Sequence, residues 1–384
     1  MTDLLIIGGG IMGLWAGVMA DRAGLRTLIV ERDVIGAGAS GGVLGALMPH
    51  MPDRWNAKKQ FQFDALVSLE TEIAALEAAT GLSAGYRRCG RLMPLSKPHL
   101  RTTALRHEQD AIINWRAGDR QFHWQVRDRA PVDGWLNSAL SESGVVFDTL
   151  AARVAPRPFL AMLSAYLRRS KLIRIEEGRA LVRIDPIGGR ADFGDGSTQA
   201  FGDCVIANGV DAFSFLDGLT SGPGVSGTGV KGQAALLRAD IDPTLPVVFT
   251  DGLYIVPHEN GMVAVGSTSE DAFDQPFATD GQLDALLARA EDLVPRIRNA
   301  PVVERWAGVR PKAIGRDPMA GRHPDHPRIH ALTGGFKISF GIAHRLATAV
   351  IGEICGETDK SLPVSFRCRA HFDLLVSDKA KAPR

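Results

Sequence analysis

The sequence predicts an α/β chain in which a Rossmann-like layer is interleaved with a second domain built on a mixed sheet. Three observations predict it. An apolar run at 3–7 leads straight into a glycine turn and an Ala-rich helix, and a β-branched run follows and ends in an acid. Residues 228–270 alternate in β fashion and read as strands of a separate sheet. Residues 329–356 then return to strand, glycine turn and helix. No repeat or low-complexity linker separates these parts, so the domains exchange segments along the chain.

The first segment carries the most chemistry. Gly8, Gly10 and Gly13 stand at positions 1, 3 and 6 of a GxGxxG turn, and Glu31 closes the next strand 18 residues beyond Gly13. In a strand–turn–helix–strand unit this is a dinucleotide cradle. The first glycine permits the tight turn and the second lets backbone approach a pyrophosphate. The third lets helix and strand pack closely, phosphates sit at the positive end of the helix, and the acid accepts ribose hydroxyls.

The stretch 36–50 (GAGASGGVLGALMPH) follows at once. It holds too much glycine for a helix. Its small residues suit backbone lying against a flat ligand, with Ser40 placed to bond a phosphate. The alternative is an ordinary surface loop. Residues 61–80 have helical period and stop at Gly81. Residues 86–95 read as a strand pair, 98–113 as a helix, and 158–170 as another. β-type runs lie near Ile173 and Leu181, and GDGS at 194–197 is a hairpin turn. Residues 203–209 (DCVIANG) form a buried strand ending in glycine, which a returning sheet would bring to the pyrophosphate. Residues 280–298 read as one helix, and a last helix runs from about Gly341 to Gly356.

Bulk properties narrow the class. The 384 residues are 45% hydrophobic and 23% charged, ordinary values for a globular enzyme, with a net charge of +1. That charge gives no field for nucleic acid, so no nucleic-acid partner is expected. No apolar run reaches membrane-spanning length. The cradle strand begins by residue 3, with no basic leader ahead of it, and the expectation is a cytoplasmic protein. Cys89, Cys204, Cys355 and Cys368 are scattered and read as reduced thiols. The His-rich run 322–330 is broken by prolines and does not space two ligands on one helix face, so no metal site is expected. His50 reads as a packing or solvent-exposed residue, His344 with Arg345 as a solvated or capping pair, and Trp124 as a core or lid residue.

The cradle, GAGASGG, VKGQ (230–233), YIVP (254–257), VGSTSE (265–270), WAGVRP (306–311) and GRHP (321–324) occur in the order of the D-amino acid oxidase family of flavoproteins. The chain resembles that family over nearly its whole length, with the glycine oxidase and sarcosine oxidase branch most similar. The resemblance implies non-covalent FAD and a C–N oxidation: a hydride passes from the α-carbon of a small amino acid or N-alkyl glycine to the flavin, and the imine hydrolyses. It implies a division into FAD-binding segments 1–80, 151–220 and 311–384 and substrate segments 81–150 and 221–310. Beside the glycines, Glu31 and Ser40, it places Ile11, Met12, Arg32, Ala39, Gly45, Ala46, Leu47, Leu181, Ala207, Asn208 and Gly209 on the cofactor. Gly335, Phe336, Lys337, Ile338 and Ser339 cap the flavin ring.

For the substrate the resemblance selects four residues. Arg310 falls on the carboxylate-binding arginine, and its planar fork suits that task. Tyr254 falls on a substrate-contacting tyrosine, with a core aromatic as the alternative. Lys337 replaces the arginine usual in glycine oxidases; it would hold a carboxylate as a point charge, tune the flavin, or contact a bridging water. Ser269 stands where a larger apolar residue lines the pocket. The last two favour a larger or N-substituted amino acid over glycine. Implied partners are the amine, an acceptor that is O2 or a quinone-type carrier, and optionally a second copy of the chain. Alternative functions are a flavin domain acting on a glycine-like modified tRNA nucleoside, a subunit of a multi-subunit sarcosine or opine oxidoreductase, or a non-catalytic FAD-binding protein.

Overall fold

Residues 2–220 and 224–381 are described by the computed structural model. The expected boundary at 220–221 and the end of the expected 311–384 segment therefore touch residues outside the described ones. Two eight-stranded sheets organise the chain. The first has a parallel core in the order Ile173–Glu176, Thr27–Val30, Thr2–Ile7, Thr198–Ile206 and Ile329–Thr333, with Met319–Arg322 added antiparallel at the edge. The start of Thr198–Ile206 also folds back through the expected hairpin onto Arg190–Phe193, which pairs with Leu181–Asp185.

This sheet is covered on both faces, which is why residues 4–7 are a continuous apolar run rather than an alternating one. Leu4 and Ile6 face the helices Ile11–Arg22, Pro156–Arg169 and Ser339–Ile354, with Ala57–Thr80 outside them. Leu5 and Ile7 face Asp211–Asp217 and Cys368–Lys381. Among parallel strands, Thr2–Ile7 and Thr198–Ile206 lie where the chain reverses its direction of travel across the sheet. Ligand crevices form beyond the carboxyl ends of strands at such points.

The second sheet runs Val302–Ala313, Gly227–Arg238, Met262–Gly266, Leu253–His258, Val247–Thr250, Arg91–Pro94, Val145–Asp148, Trp124–Arg127. It is mixed because Val247–Thr250 pairs parallel with Arg91–Pro94. One face packs on the helix Gly281–Leu293; the other turns toward the first sheet.

Element boundaries differ from the sequence reading for local reasons. The helix expected at 61–80 starts at Ala57, because Asn56 caps it by accepting from the Lys58 and Lys59 N–H groups. Its first turn carries no large apolar residue to signal it. The helix expected over 280–298 stops at Leu293, where Pro295 opens a 3-10 turn. The expected strand pair at 86–95 is one strand, Arg91–Pro94; Arg87 makes only an isolated bridge to Arg153, and Gly90, at φ +77°, turns the chain between them.

Candidate cofactor and substrate cavity

The glycine turn is built by close approach. A Cβ on Gly8 would lie 2.6 Å from the Ala207 carbonyl oxygen, and Gly8 has φ +110°. A Cβ on Gly13 would lie 1.9 Å from the Gly8 oxygen, so helix and turn touch through bare backbone. Gly10 differs: a Cβ there would meet only the Ser40 side chain, and its open side faces a cavity. Ser40 Oγ accepts from the Ile11 N–H (3.0 Å). Glu31 accepts from the Gly9 N–H (2.7 Å) and the Asp33 N–H (3.0 Å), which fixes its carboxylate beside the turn. Asn208, at the end of the neighbouring strand, has a buried Oδ1 with no hydrogen-bond partner.

The stretch after Glu31 is pinned. His258 Nε2 contacts the Val43 and Leu44 carbonyls (3.2 Å each), the Val154 N–H donates to Gly45 O (2.9 Å), and Arg157 donates to Gly41 O (2.8 Å). Arg157 is itself clamped by both oxygens of Glu304. Gly42 packs against the Trp306 ring, where a Cβ would fall 3.2 Å from it.

A single cavity of about 970 Å³ runs from the cradle along this stretch to the second sheet. Of the cofactor residues expected from sequence, Gly8, Gly10, Ile11, Met12, Glu31, Arg32, Ala39, Ser40, Gly45, Ala46, Leu181, Ala207, Asn208, Gly209 and 335–339 all line it. Gly13 lies behind the turn, and Leu47 is buried in the core. Tyr254, Arg310 and Lys337 line the far end. Ser269 does not; it is exposed outside the cavity. There the chain pairs back onto the sheet through mutual backbone bonds between Glu270 and Lys231, which turns Ser269 outward. Ser267 takes the place on the wall, together with Trp306. Sequence reasoning passed over both, although each lies within a quoted motif.

Arg310 is enclosed by protein and open to the cavity. Its guanidinium lies over Gly232 of the adjacent strand, where any Cβ would fall 1.9 Å from Nη2. Its Nη1 donates to the Thr268 carbonyl (3.2 Å). Enclosure pulls its pKa down to about 10, opposed by Tyr254 and Glu270. Lys337 opens onto the same space; burial lowers its pKa, and so does the charge of Arg310. Among the described residues neither has a carboxylate within ion-pair distance, whereas the cavity's other arginines do: Arg32 pairs with Asp33 and Asp211, and Arg179 with Glu176. The Tyr254 ring lies tilted against Phe249, centroids 4.7 Å apart, and burial raises its hydroxyl pKa, keeping it a donor.

These residues fit a flavin dinucleotide. Gly10 leaves bare backbone facing the cavity at the start of the Ile11–Arg22 helix, the orphaned Asn208 oxygen can accept from a donor, and the Ser339–Ile354 helix presents its positive end to the cavity. No group of described residues forms a metal cluster, and no described helix is long and apolar enough to cross a membrane.

Residues 3–349 match the family described as DAO, FAD dependent oxidoreductase. Glycine oxidase of Geobacillus kaustophilus (strain HTA426) is 27% identical over 344 residues, covering 87% of this chain and 88% of that protein. The bifunctional protein ThiO/ThiG of Nostoc sp. (strain PCC 7120) is 27% identical over 388 residues, covering 98% of this chain but 55% of its own length. The chain thus spans about half of that longer relative. The crystal structure of glycine oxidase from Geobacillus kaustophilus superposes with a TM-score of 0.82 at 24% identity, covering 96% of this chain and 98% of the other, which establishes a shared fold.

Proposed function

The chain belongs to the DAO family of FAD-dependent oxidoreductases, and from that premise we propose that it oxidises the C–N bond of a small amino acid or N-alkyl glycine. The observation that carries the reading is Arg310: an enclosed guanidinium with no carboxylate partner among the described residues, facing the cavity that begins at the dinucleotide cradle. A desolvated cation without a partner is costly, and a substrate carboxylate offsets that cost. The similarity to glycine oxidases supports the same substrate class.

Bound FAD, held by the cradle, residues 36–46 and residues 335–339, supplies the two-electron oxidant. The side chains bind and orient. Arg310 takes the substrate carboxylate in a two-pronged grip, and the Tyr254 hydroxyl donates a further hydrogen bond to it. Gripping the carboxylate fixes the α-carbon next to it. Arg310 and Lys337 together place two positive charges around the substrate, and like charge disfavours a protonated amine. The substrate therefore reacts as the neutral amine. Its nitrogen lone pair forms the C=N bond as the α-carbon loses a hydride, and water then hydrolyses the imine to a carbonyl compound and an amine. No side-chain base is required, and the cavity's carboxylates Glu31, Asp33 and Asp211 sit at the cradle end. In this reading segments 1–80, 151–220 and 311–384 serve FAD, and 81–150 and 221–310 serve the substrate. The acceptor that reoxidises the cofactor is O2 or a quinone-type carrier.

Arg310→Ala tests the anchor. A charge-assisted hydrogen bond contributes about 1.5–3 kcal/mol, so KM should rise about 10- to 100-fold while FAD stays bound. Loss of FAD with unchanged KM in the reconstituted enzyme would contradict the role.

A further inference from the structure

We propose that Thr268 and Glu270 are positioning residues that aim Arg310 at its anion, through a buried polar frame anchored on the helix Gly281–Leu293. The proposal rests on the anchor role given to Arg310 above. Gly232 beneath the guanidinium gives it space but no direction. The one protein hydrogen bond it makes among the described residues is to the Thr268 carbonyl. What holds Thr268 therefore sets where the fork points.

Thr268 is tied on every side. Its hydroxyl donates to Glu270 Oε1 and accepts from the Gln233 N–H (2.8 Å), and its own N–H donates to Gln233 O (3.2 Å). Glu270, 8% exposed, also accepts from Gln233 Nε2 (3.0 Å) and lies 3.4 Å from Lys231 Nζ. Lys231 and Gln233 are 3% and 0% exposed. Both reach Asp280, at 3.2 and 2.9 Å, and Asp280 caps the helix by accepting from the Gln282 N–H. The Asp280 N–H returns a bond to Gln233 Oε1 (2.8 Å). Lys231 and Gln233 sit on the opposite pleat of the strand from Gly232, so the frame lies behind the sheet and Arg310 in front.

Apolar residues would stabilise this spot at least as well, because a buried ion pair gains little over a hydrophobic replacement. Two features point instead to aim and charge. The frame ends on the residue whose carbonyl holds Arg310. Its one cation and two carboxylates also leave a net negative charge behind an enclosed arginine, and Glu270 is among the groups that favour the charged form of that arginine.

The test is acetate binding to the FAD-loaded protein, read as a perturbation of the flavin spectrum, which needs no turnover. Thr268→Val and Glu270→Gln should bind FAD normally and require about ten-fold more acetate, and Thr268→Ser should restore wild-type binding. With an amine substrate the same variants should raise KM about ten-fold and leave kcat within about three-fold (ten-fold corresponds to about 1.4 kcal/mol). Variants that lose thermal stability but bind acetate as the wild type does would overturn the positioning role alone. A wild-type protein whose flavin ignores acetate, and on which Arg310→Ala has no effect, would overturn the anchor and this proposal with it.

Discussion

Two contacts of the cavity region rest on glycines that leave no space for a side chain: Gly232 under the Arg310 guanidinium, and Gly13 against the Gly8 oxygen. Gly8, Gly10 and Gly13 were legible because backbone contact is demanded at a fixed spacing. The structure adds that Gly13, within the helix, is the least replaceable of the three: a Cβ there would lie 1.9 Å from the Gly8 oxygen, whereas Gly24, in the left-handed region at φ +76°, has nothing within 4 Å. Gly13→Ala should therefore abolish FAD binding and destabilise the fold. Gly24→Ala should cost only its backbone strain, on the order of 1 kcal/mol, with FAD retained. Denaturant unfolding and flavin content measure both, and equal behaviour of the two variants would contradict the argument. Ser269 was misplaced because a motif fixes neighbours along the chain but not which of them turns inward. The return of Glu270 onto Lys231 decides that, and it is a contact between residues far apart in sequence.

At the scale of elements, long helices were legible from their period, but joints between elements were not. His258 and His344 are such joints. His258, 6% exposed, holds the stretch 43–44 against its strand. His344, 2% exposed, contacts Ser68 Oγ at 2.9 Å across two helices and lies against Trp15. Burial lowers their pKa values to about 4 and about 3, from an ordinary 6.5. Both are neutral in the folded chain at pH values where the unfolded chain protonates them. The unfolded state therefore binds more protons below pH 6.5, and stability falls as pH drops from there toward about 4. Each histidine contributes at most about 1.4 kcal/mol per pH unit in that window. The urea midpoint should be lower at pH 5 than at pH 7, and His258→Gln should reduce the difference. A midpoint unchanged between the two values would contradict this account. The sequence reading does not single out His258, and His344 is a buried contact between helices rather than a solvated or capping residue, because a buried neutral histidine has no neighbour pattern of its own.

For the whole molecule, interleaving was legible because strand, glycine turn and helix recur near both ends. The pairing of the second sheet was not, since Arg91–Pro94 joins Val247–Thr250 across more than a hundred residues that no local pattern links. Tyr254 and Arg310 of that sheet line the same cavity as the glycine turn of the first, so the dinucleotide cradle and the arginine we propose as the carboxylate anchor share one space. The most direct test is anaerobic titration of the FAD-loaded protein with glycine, sarcosine, proline and a panel of D-amino acids, followed by eye and spectrum at the flavin band. The account predicts that at least one amino acid bleaches the flavin, and that Arg310→Ala shifts the bleaching to much higher concentration. A flavin that photoreduces normally but that no amino acid bleaches would contradict it.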